Sequence, residues 1–166
     1  MADRKKKGLP YRKCVGAVLF NQNGLVFVGE RNDMGESSWQ MPQGGVDKGE
    51  KPRKAVKREL AEEIGTDKIE IVAEHPDWLC YDFPKELIGT AWGGRFRGQK
   101  QKWFALRFTG ADSDIDLSAG RHPEFRAWQW IPIGRLCKII IPFKRPVYEA
   151  VVEEFRQLSV FERSNT

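Results

Sequence analysis

The sequence predicts an α/β fold, a sandwich in which a mixed sheet lies between helices. Runs of apolar and β-branched residues, bounded by Gly, Asn or Pro, recur along most of the chain and indicate strands. Helical periodicity is confined to one central segment, one terminal segment and a short turn before the latter. With 166 residues, 40% of them hydrophobic, the chain has the size and composition of one domain with its own core.

The first predicted elements are two paired strands. Arg12–Phe20 and Leu25–Arg31 are largely apolar, and Asn21–Gly24 between them has the composition of a tight turn. We expect Gly24 to take the positive φ that such a turn requires. A polar loop over 32–38 follows the second strand.

The central helix is predicted to begin at Pro52 and to end before Gly65. Proline suits a first helical position, where its missing N–H would have no helical partner, and glycine suits the position just past the last turn. Val56, Leu60 and Ile64 fall on one face at helical spacing. This face should therefore pack on the core.

A second stripe of this helix is acidic and consists of Glu59, Glu62 and Glu63. It is locally unfavourable, because like charges one turn apart repel and the last turn of a helix favours cations. Such frustration is typical of functional sites. Three converging carboxylates would suit a hard divalent cation, Mg²⁺ or Mn²⁺. The alternative is an ordinary solvated acidic face.

Four further strands are predicted downstream of the helix. They are Ile69–His75, Trp78–Phe83, Gln101–Thr109 and Glu124–Ile131, each rich in apolar, β-branched or aromatic residues. The glycine-rich, basic and aromatic segment Ile88–Lys100 is predicted to be a loop. Such a loop could bind phosphates and stacked bases, or it could be a connection whose aromatic rings fold back on the core.

The chain is predicted to end in a helical turn over 132–138 and a longer helix over 146–160. The longer helix is amphipathic. Its apolar face is formed by Val147, Val151, Phe155 and Leu158.

The formal net charge of +5 indicates an anionic partner for a site that is itself acidic. Polyphosphates or RNA fit this pattern, although a modest positive charge can also serve solubility alone. Residues 1–10, which contain four consecutive cations over 4–7, are expected to form a flexible basic arm. We expect 11–160 to form the single domain and 161–166 a tail.

The cysteines and the hydropathy pattern bear on the compartment. Cys14, Cys80 and Cys137 are widely spaced and odd in number, so we expect unreactive thiols in a reducing compartment and neither a disulfide framework nor a zinc site. No apolar run approaches the length of a membrane span, and the first residues lack the apolar core of a signal peptide. We therefore expect a cytoplasmic protein without a membrane partner.

The spacing around the helix is specific. Gly44 is followed by five residues and Glu50, and then by seven residues and the run Arg58–Gly65. This pattern resembles the signature of the Nudix hydrolases, and every fixed position matches except Thr66, where the family has an aliphatic residue. The resemblance implies an α-β-α sandwich, and it implies that Glu50 and Arg58 pair and brace the loop against the helix.

The resemblance also implies a metal site. By this resemblance, the carbonyl of Gly44 and the carboxylates of Glu59, Glu62 and Glu63 would hold Mg²⁺ or Mn²⁺. A glutamate in a Pro-Glu-Phe context, here Glu124, would lie near the metals as a further ligand or as the base. An exposed glutamate at the end of a strand is the alternative interpretation of that position.

Further segments are similar to one branch of the family. They are Tyr11–Gly16, the spacing of Asn21, Gly24, Gly29 and Arg31, and Trp39–Gly45, and the resemblance extends from about Tyr11 to Phe155. The branch contains the bacterial RNA pyrophosphohydrolases and the asymmetrically cleaving diadenosine tetraphosphate hydrolases. The substrate contacts that we infer from it are Arg12, Arg31 and Lys144 for phosphates, and Tyr81 and Phe143 for a base.

The predicted function is metal-dependent hydrolysis of a phosphoanhydride, either in 5′-triphosphorylated RNA or in dinucleoside polyphosphates such as diadenosine tetraphosphate. Glu62, Glu63 and Glu124 are the candidates for the group that accepts a proton from water. The alternative is a catalytically silent module that binds nucleotides or RNA. The complete acidic set favours the enzyme. We expect no DNA partner and make no prediction of oligomeric state.

Overall fold

The computed structural model describes residues 8–33, 38–89 and 91–164. Within these residues, eight strands form one sheet and three α-helices pack on it. The strands are β1 (Tyr11–Phe20), β2 (Val26–Arg31), β3 (Trp39–Gln40), β4 (Gln43–Gly45), β5 (Ile69–Glu74), β6 (Leu79–Asp82), β7 (Gly98–Phe108) and β8 (Phe125–Ile131). The helices are α1 (Pro52–Ile64), α2 (Leu136–Ile139) and α3 (Arg145–Ser164).

The sheet is mixed, as the sequence predicts. Its central order is β3-β2-β1-β7-β5, with β4 paired to β1, β6 to β7 and β8 to β2. The long pair β1–β7 is parallel, whereas the other pairs are antiparallel. The strand β4 lies beside the middle of β1, so the sheet carries the segment before α1 to the centre of the molecule.

Each face of the sheet has its own core, which makes the architecture a sandwich. On one face, buried residues of β1 and β7 pack against Ala55, Val56, Leu60 and Ile64 of α1. On the other face, the core includes the α3 residues Val147, Val151 and Phe155. Residues 15–20 of β1 are all buried, because this strand is covered on both sides.

The predicted helices and turns agree closely with the structure. The helix α1 has the predicted bounds, and Gly65 ends it with φ 71°. Gly24 has φ 74° in the turn between β1 and β2. The helix α3 begins one position earlier than predicted and extends to Ser164, so the predicted end at 160 was wrong and residues 161–164 of the predicted tail are helical.

Two strand predictions were wrong in detail. The short strands β3 and β4 were not predicted, and β7 begins at Gly98 within a segment that was predicted to be a loop. In the rest of that segment, Arg97 forms an ion pair with Asp82 at 3.1 Å and lies over the ring of Tyr11. These contacts favour a structural role for Arg97 over a role in binding.

The remaining expectations concern the basic arm, the cysteine thiols and membrane spans. Most of the predicted basic arm, residues 1–7, lies outside the described residues. The thiol of Cys14 is buried, whereas that of Cys80 is exposed. None of the helices in the described part of the chain has the length and apolarity that crossing a membrane requires.

Candidate active site

The loop before α1 is fixed to the helix by Arg58. Its guanidinium donates hydrogen bonds to both carboxylate oxygens of Glu50, each at 2.9 Å, and to the carbonyl oxygen of Gly45 at 2.8 Å. This charge-assisted pair is of the bidentate kind, which sets both distance and orientation. The hydrogen bonds from Arg58 lower the pKa of Glu50 to about 2. The glycine pair is thus held at a fixed place beside the helix.

The three glutamates of α1 have different environments. Glu63 is buried, Glu59 is half-buried, and Glu62 is exposed on the outer flank of the helix. Arg58 lies 3.0 Å from a carboxylate oxygen of Glu59 and 3.4 Å from one of Glu62. Together with Gly44, all three glutamates line a cleft of about 800 Å³.

Glu124, one residue before β8, lines the same cleft beside Glu63. Both oxygens of Glu63 are buried and have no hydrogen-bond donor among the described residues. Burial, with the carboxylates of Glu124 and Glu59 nearby, raises the pKa of Glu63 well above its usual value. Buried polar atoms of a folded protein are nearly always satisfied, so these two oxygens indicate a ligand.

The donor set fits a hard divalent cation. A Cβ atom on Gly44 would lie 2.0 Å from the carboxylate carbon of Glu59, so only glycine permits this approach of backbone and carboxylate. Carboxylate and carbonyl oxygens are the ligands that Mg²⁺ and Mn²⁺ prefer. Among the described residues, however, no three His, Cys, Asp or Glu side chains form a ready-made metal-holding group. Arg58 holds Glu59 and Glu62 instead.

Two of the predicted phosphate-binding cations line the cleft. The guanidinium of Arg12 lies over Gly45, where an added Cβ would come within 2.3 Å of it. Arg31 is bound by Asp33, with a hydrogen bond of 2.9 Å from its Nε atom. These two cations lie on the same cleft as the glutamates, so the cleft combines carboxylates with guanidinium groups.

The remaining predicted contacts lie outside the lining of this cleft. Lys144, Tyr81 and Phe143 form a separate group, with ring centroids of the two aromatic residues 5.6 Å apart. The Lys144 ammonium is buried, lies over both rings and donates a hydrogen bond to Gln40 Oε1 at 3.3 Å. Gln40 also lines the cleft, so this group adjoins the cleft.

Burial disfavours the charged form of the Lys144 amine. It lowers the pKa of this amine to about 8, and the nearby charge of Arg31 acts in the same direction. Tyr81 is 7% exposed, so most of its ring is occupied by core contacts, whereas Phe143 is half-buried. Between the two rings, Phe143 therefore has more surface to offer a base.

Sequence reasoning missed several residues that line the cleft. They are Asn32, Asp33, Gln40, Gln43, Ala119, Gly120, Arg121, His122 and Pro123. Most of them lie in loops without a recognisable pattern. Gln40 and Gln43 are different, because they lie in the segment Trp39–Gly45, whose resemblance to the family could have pointed to them.

The comparisons with known proteins agree on one family. A family model described as the NUDIX domain matches residues 10–151. A curated RNA pyrophosphohydrolase of Rhodopseudomonas palustris is 55% identical over 159 residues, which cover 91% of this chain and 95% of that protein. One of Rhodospirillum rubrum is 56% identical over 153 residues, covering 92% of each.

Solved structures show the same fold at low sequence identity. The Escherichia coli dihydroneopterin triphosphate pyrophosphohydrolase has a TM-score of 0.67 at 20% identity, with 87% of this chain and 99% of that chain covered. An Ap4A hydrolase of Caenorhabditis elegans has a TM-score of 0.62 at 19% identity, with 87% and 97% covered.

Proposed function

The chain belongs to the Nudix family of hydrolases, and from this premise we propose that it removes pyrophosphate from the 5′ end of triphosphorylated RNA. The observation that carries the proposal is the cleft in which Glu59, Glu63 and Glu124 face Arg12 and Arg31. The relatives named RNA pyrophosphohydrolase, which match nearly the whole chain, support RNA as the substrate. The net charge of +5 supports a polyanion.

Dinucleoside polyphosphates are a second candidate substrate. They offer the same chemical elements as the RNA end, namely a phosphoanhydride chain joined to a nucleoside. The fold of an Ap4A hydrolase matches this chain, although the identity is low. The half-buried ring of Phe143, beside Lys144, would suit the base of either substrate.

We assign the cation site to the carbonyl of Gly44 and the carboxylates of Glu59, Glu62, Glu63 and Glu124. Hydrolases of this family generally use divalent cations such as Mg²⁺. When bound, such a cation neutralises charge on phosphate oxygens and makes water a better nucleophile. The unsatisfied oxygens of Glu63 and the close approach at Gly44 support this assignment.

The chain's own residues carry the other parts of the mechanism. Arg12 and Arg31 would hold phosphate oxygens, and Arg31 would share its charge between substrate and Asp33. Water attacks a phosphorus of the anhydride between the α- and β-phosphates, and a carboxylate accepts the proton of water. The anhydride P–O bond breaks, which releases pyrophosphate and leaves 5′-monophosphorylated RNA. Glu62, Glu63 and Glu124 remain the candidates for that carboxylate. An RNA substrate and the free thiols support action in the cytoplasm.

The test compares two substrates under one condition. Rates of cleavage of 5′-triphosphorylated RNA and of diadenosine tetraphosphate are measured with saturating Mg²⁺. We expect the RNA to have the higher kcat/KM. A higher kcat/KM for diadenosine tetraphosphate would overturn the choice of RNA, and binding of both substrates without cleavage of either would show a silent module.

A further inference from the structure

Three residues of β7 form a row with polar side-chain atoms on the face of the sheet that α3 covers. Gln99, Gln101 and Trp103 alternate with lysines, so their side chains share one face of the strand. All three are at most 2% exposed. Burying an amide is costly unless its oxygen and nitrogen find partners, so the hydrogen bonds of this row require an account.

The register of the sheet brings this row to the cleft. Trp103 lies beside Gly16 of β1, and Gly16 lies beside Gln43 of β4. A Cβ atom on Gly16 would come within 2.5 Å of the indole ring, so the ring occupies the space that a side chain on β1 would fill. Gln101 can therefore reach across β1 to Gln43, which lines the cleft.

The indole N–H of Trp103 determines which atoms of this row donate hydrogen bonds and which accept them. The indole N–H of Trp103 donates to Gln101 Oε1 at 2.9 Å. An indole nitrogen is always a donor, so the end of Gln101 that faces it must be its oxygen. The amide nitrogen of Gln101 then donates to Gln43 Oε1 and, at 2.8 Å, to Gln99 Oε1.

This direction decides which atom Gln43 presents to the cleft. Its oxygen is occupied by Gln101, and in the described part of the chain its side chain has no other hydrogen bond. The NH₂ group is therefore the end that remains for a ligand. The cleft is already rich in carboxylates, and an amide oxygen facing inward would add to the repulsion of a phosphate.

We propose that Trp103 and Gln101 form a relay that positions the amide of Gln43 as a hydrogen-bond donor to a phosphate oxygen of the substrate. The proposal rests on the proposed function, because the acceptor is the polyphosphate chain. Gln43 contacts the substrate, and Trp103 and Gln101 are positioning residues that act through it.

The relay can be tested through binding as well as catalysis. Affinity for inorganic tripolyphosphate in the presence of Mg²⁺ is measured by calorimetry. Gln43→Leu should weaken binding roughly 10-fold or more, since a hydrogen bond to a charged acceptor is lost. Trp103→Phe removes the N–H but keeps an aromatic ring, and it should weaken binding by roughly 3- to 10-fold, because Gln101 and Gln43 can then rotate.

The chain offers a matched control for the loss of an indole N–H. Trp130 Nε1 donates to Asp112 Oδ1 at 3.0 Å, on an exposed loop outside the cleft lining. Trp130→Phe should leave tripolyphosphate affinity and kcat/KM unchanged. A loss equal to that of Trp103→Phe would show a general effect of removing tryptophan and would overturn the relay.

A double-mutant cycle separates positioning from packing. In the Gln43→Leu background, Trp103→Phe should weaken binding by less than about twofold, because the amide that it positions is absent. Equal effects of Trp103→Phe in both backgrounds would contradict the relay. If Trp103→Phe does not fold, Gln101→Met completes the same cycle.

The proposed function and the relay can fail separately. If the wild type binds tripolyphosphate but cleaves neither RNA nor diadenosine tetraphosphate, the proposed function fails, and the cycle still tests the relay. If cleavage is normal but Gln43→Leu leaves both affinity and kcat/KM unchanged, the relay fails and the proposed function stands.

Discussion

Glu63 has an environment that stability alone would not select. Its side chain is buried, both oxygens lack a donor among the described residues, and two other carboxylates lie nearby. A buried, unpaired carboxylate costs folding free energy. Residues of this kind are expected where function requires them.

The first prediction is that Glu63→Gln lowers turnover by orders of magnitude and raises the melting temperature. The substitution keeps the size of the side chain but removes a charge that the fold does not stabilise. Thermal unfolding without added divalent cation and kcat with saturating Mg²⁺ measure the two effects. Glu153→Gln, at an exposed position of α3, is the matched control and should change neither. Activity of Glu63→Gln near that of the wild type would remove Glu63 from the site.

Lys144 is a second residue that lowers the free energy of unfolding. Its ammonium is buried, and no carboxylate lies within ion-pair distance of it in the part of the chain that the structure describes. Its pKa is about 8 in the fold, compared with a usual value of 10.5. Below pH 8 the proton is bound in both folded and unfolded chains, and the burial cost applies in full. Between pH 8 and 10.5 only the unfolded chain keeps the proton, so this cost diminishes as pH rises.

The second prediction is therefore that Lys144→Met raises the melting temperature at pH 7, and that its advantage over the wild type shrinks between pH 8 and 10.5. The size of the effect at pH 7 should be roughly 2–4 kcal/mol, the free energy that corresponds to the shift in pKa. Thermal unfolding across the pH range measures it, with Lys138→Met at an exposed position as the control. A lower stability of Lys144→Met at pH 7 would contradict this account.

Phe143 separates two interpretations that the sequence left open, stacking on a base and anchoring the last helix. It is half-buried and packs on Tyr81. The third prediction is that Phe143→Ala raises KM for RNA by about 10-fold, as expected for one lost stacking contact, with a small loss of melting temperature. Phe155→Ala, at a position 1% exposed, gives the loss expected for a core anchor, about 3–5 kcal/mol. An equal loss for both variants, with unchanged KM for Phe143→Ala, would refute stacking.

At the scale of elements, α1 and the loop before it form one unit joined by Arg58. The fourth prediction is that Arg58→Lys lowers both kcat and the melting temperature, because lysine cannot make the paired hydrogen bonds to Glu50 while also reaching Gly45. Circular dichroism and steady-state kinetics measure the two effects. Arg53→Lys is the control, since the ion pair of Arg53 with Glu74 is longer, at 3.6 Å. Full activity of Arg58→Lys would show that the loop does not need this brace.

Elements with strong periodicity or clear terminal signals could be predicted from the sequence. Pro52, Gly65 and the apolar face between them define α1, because the relevant interactions are local. The first three residues of β7, 98–100, were missed because glycine, glutamine and lysine do not indicate a buried strand. The hydrogen bond from Gln101 to Gln43 joins residues far apart in the sequence, and local rules do not include such a partner.

In the candidate site, too, local patterns predict some features, and tertiary packing determines the others. Glu59, Glu62 and Glu63 follow from helical spacing, and the structure places them on one cleft with Glu124. Their unequal burial could not be predicted, since it depends on how α1 packs on the sheet. Tyr81 and Phe143 lie outside the lining of this cleft, whereas Gln40, which accepts a hydrogen bond from Lys144, belongs to it. This placement likewise depends on tertiary packing.

At the scale of the whole molecule, the central claim is that the cleft hydrolyses a phosphoanhydride at the 5′ end of RNA. The sandwich places α1 on one face and α3 on the other, and β4 brings Gly44 to the centre of the sheet. Acidic and basic residues therefore share one cleft in a protein of net positive charge, as the proposed hydrolysis requires.

The most direct measurement is product analysis of 5′-triphosphorylated RNA incubated with the wild type and Mg²⁺, with Glu63→Gln in parallel. The wild type should yield 5′-monophosphorylated RNA and released pyrophosphate, and both products should be lost when Mg²⁺ is chelated or Glu63 is replaced. Wild-type protein that binds this RNA with Mg²⁺ or Mn²⁺ present and leaves its triphosphate intact would contradict it.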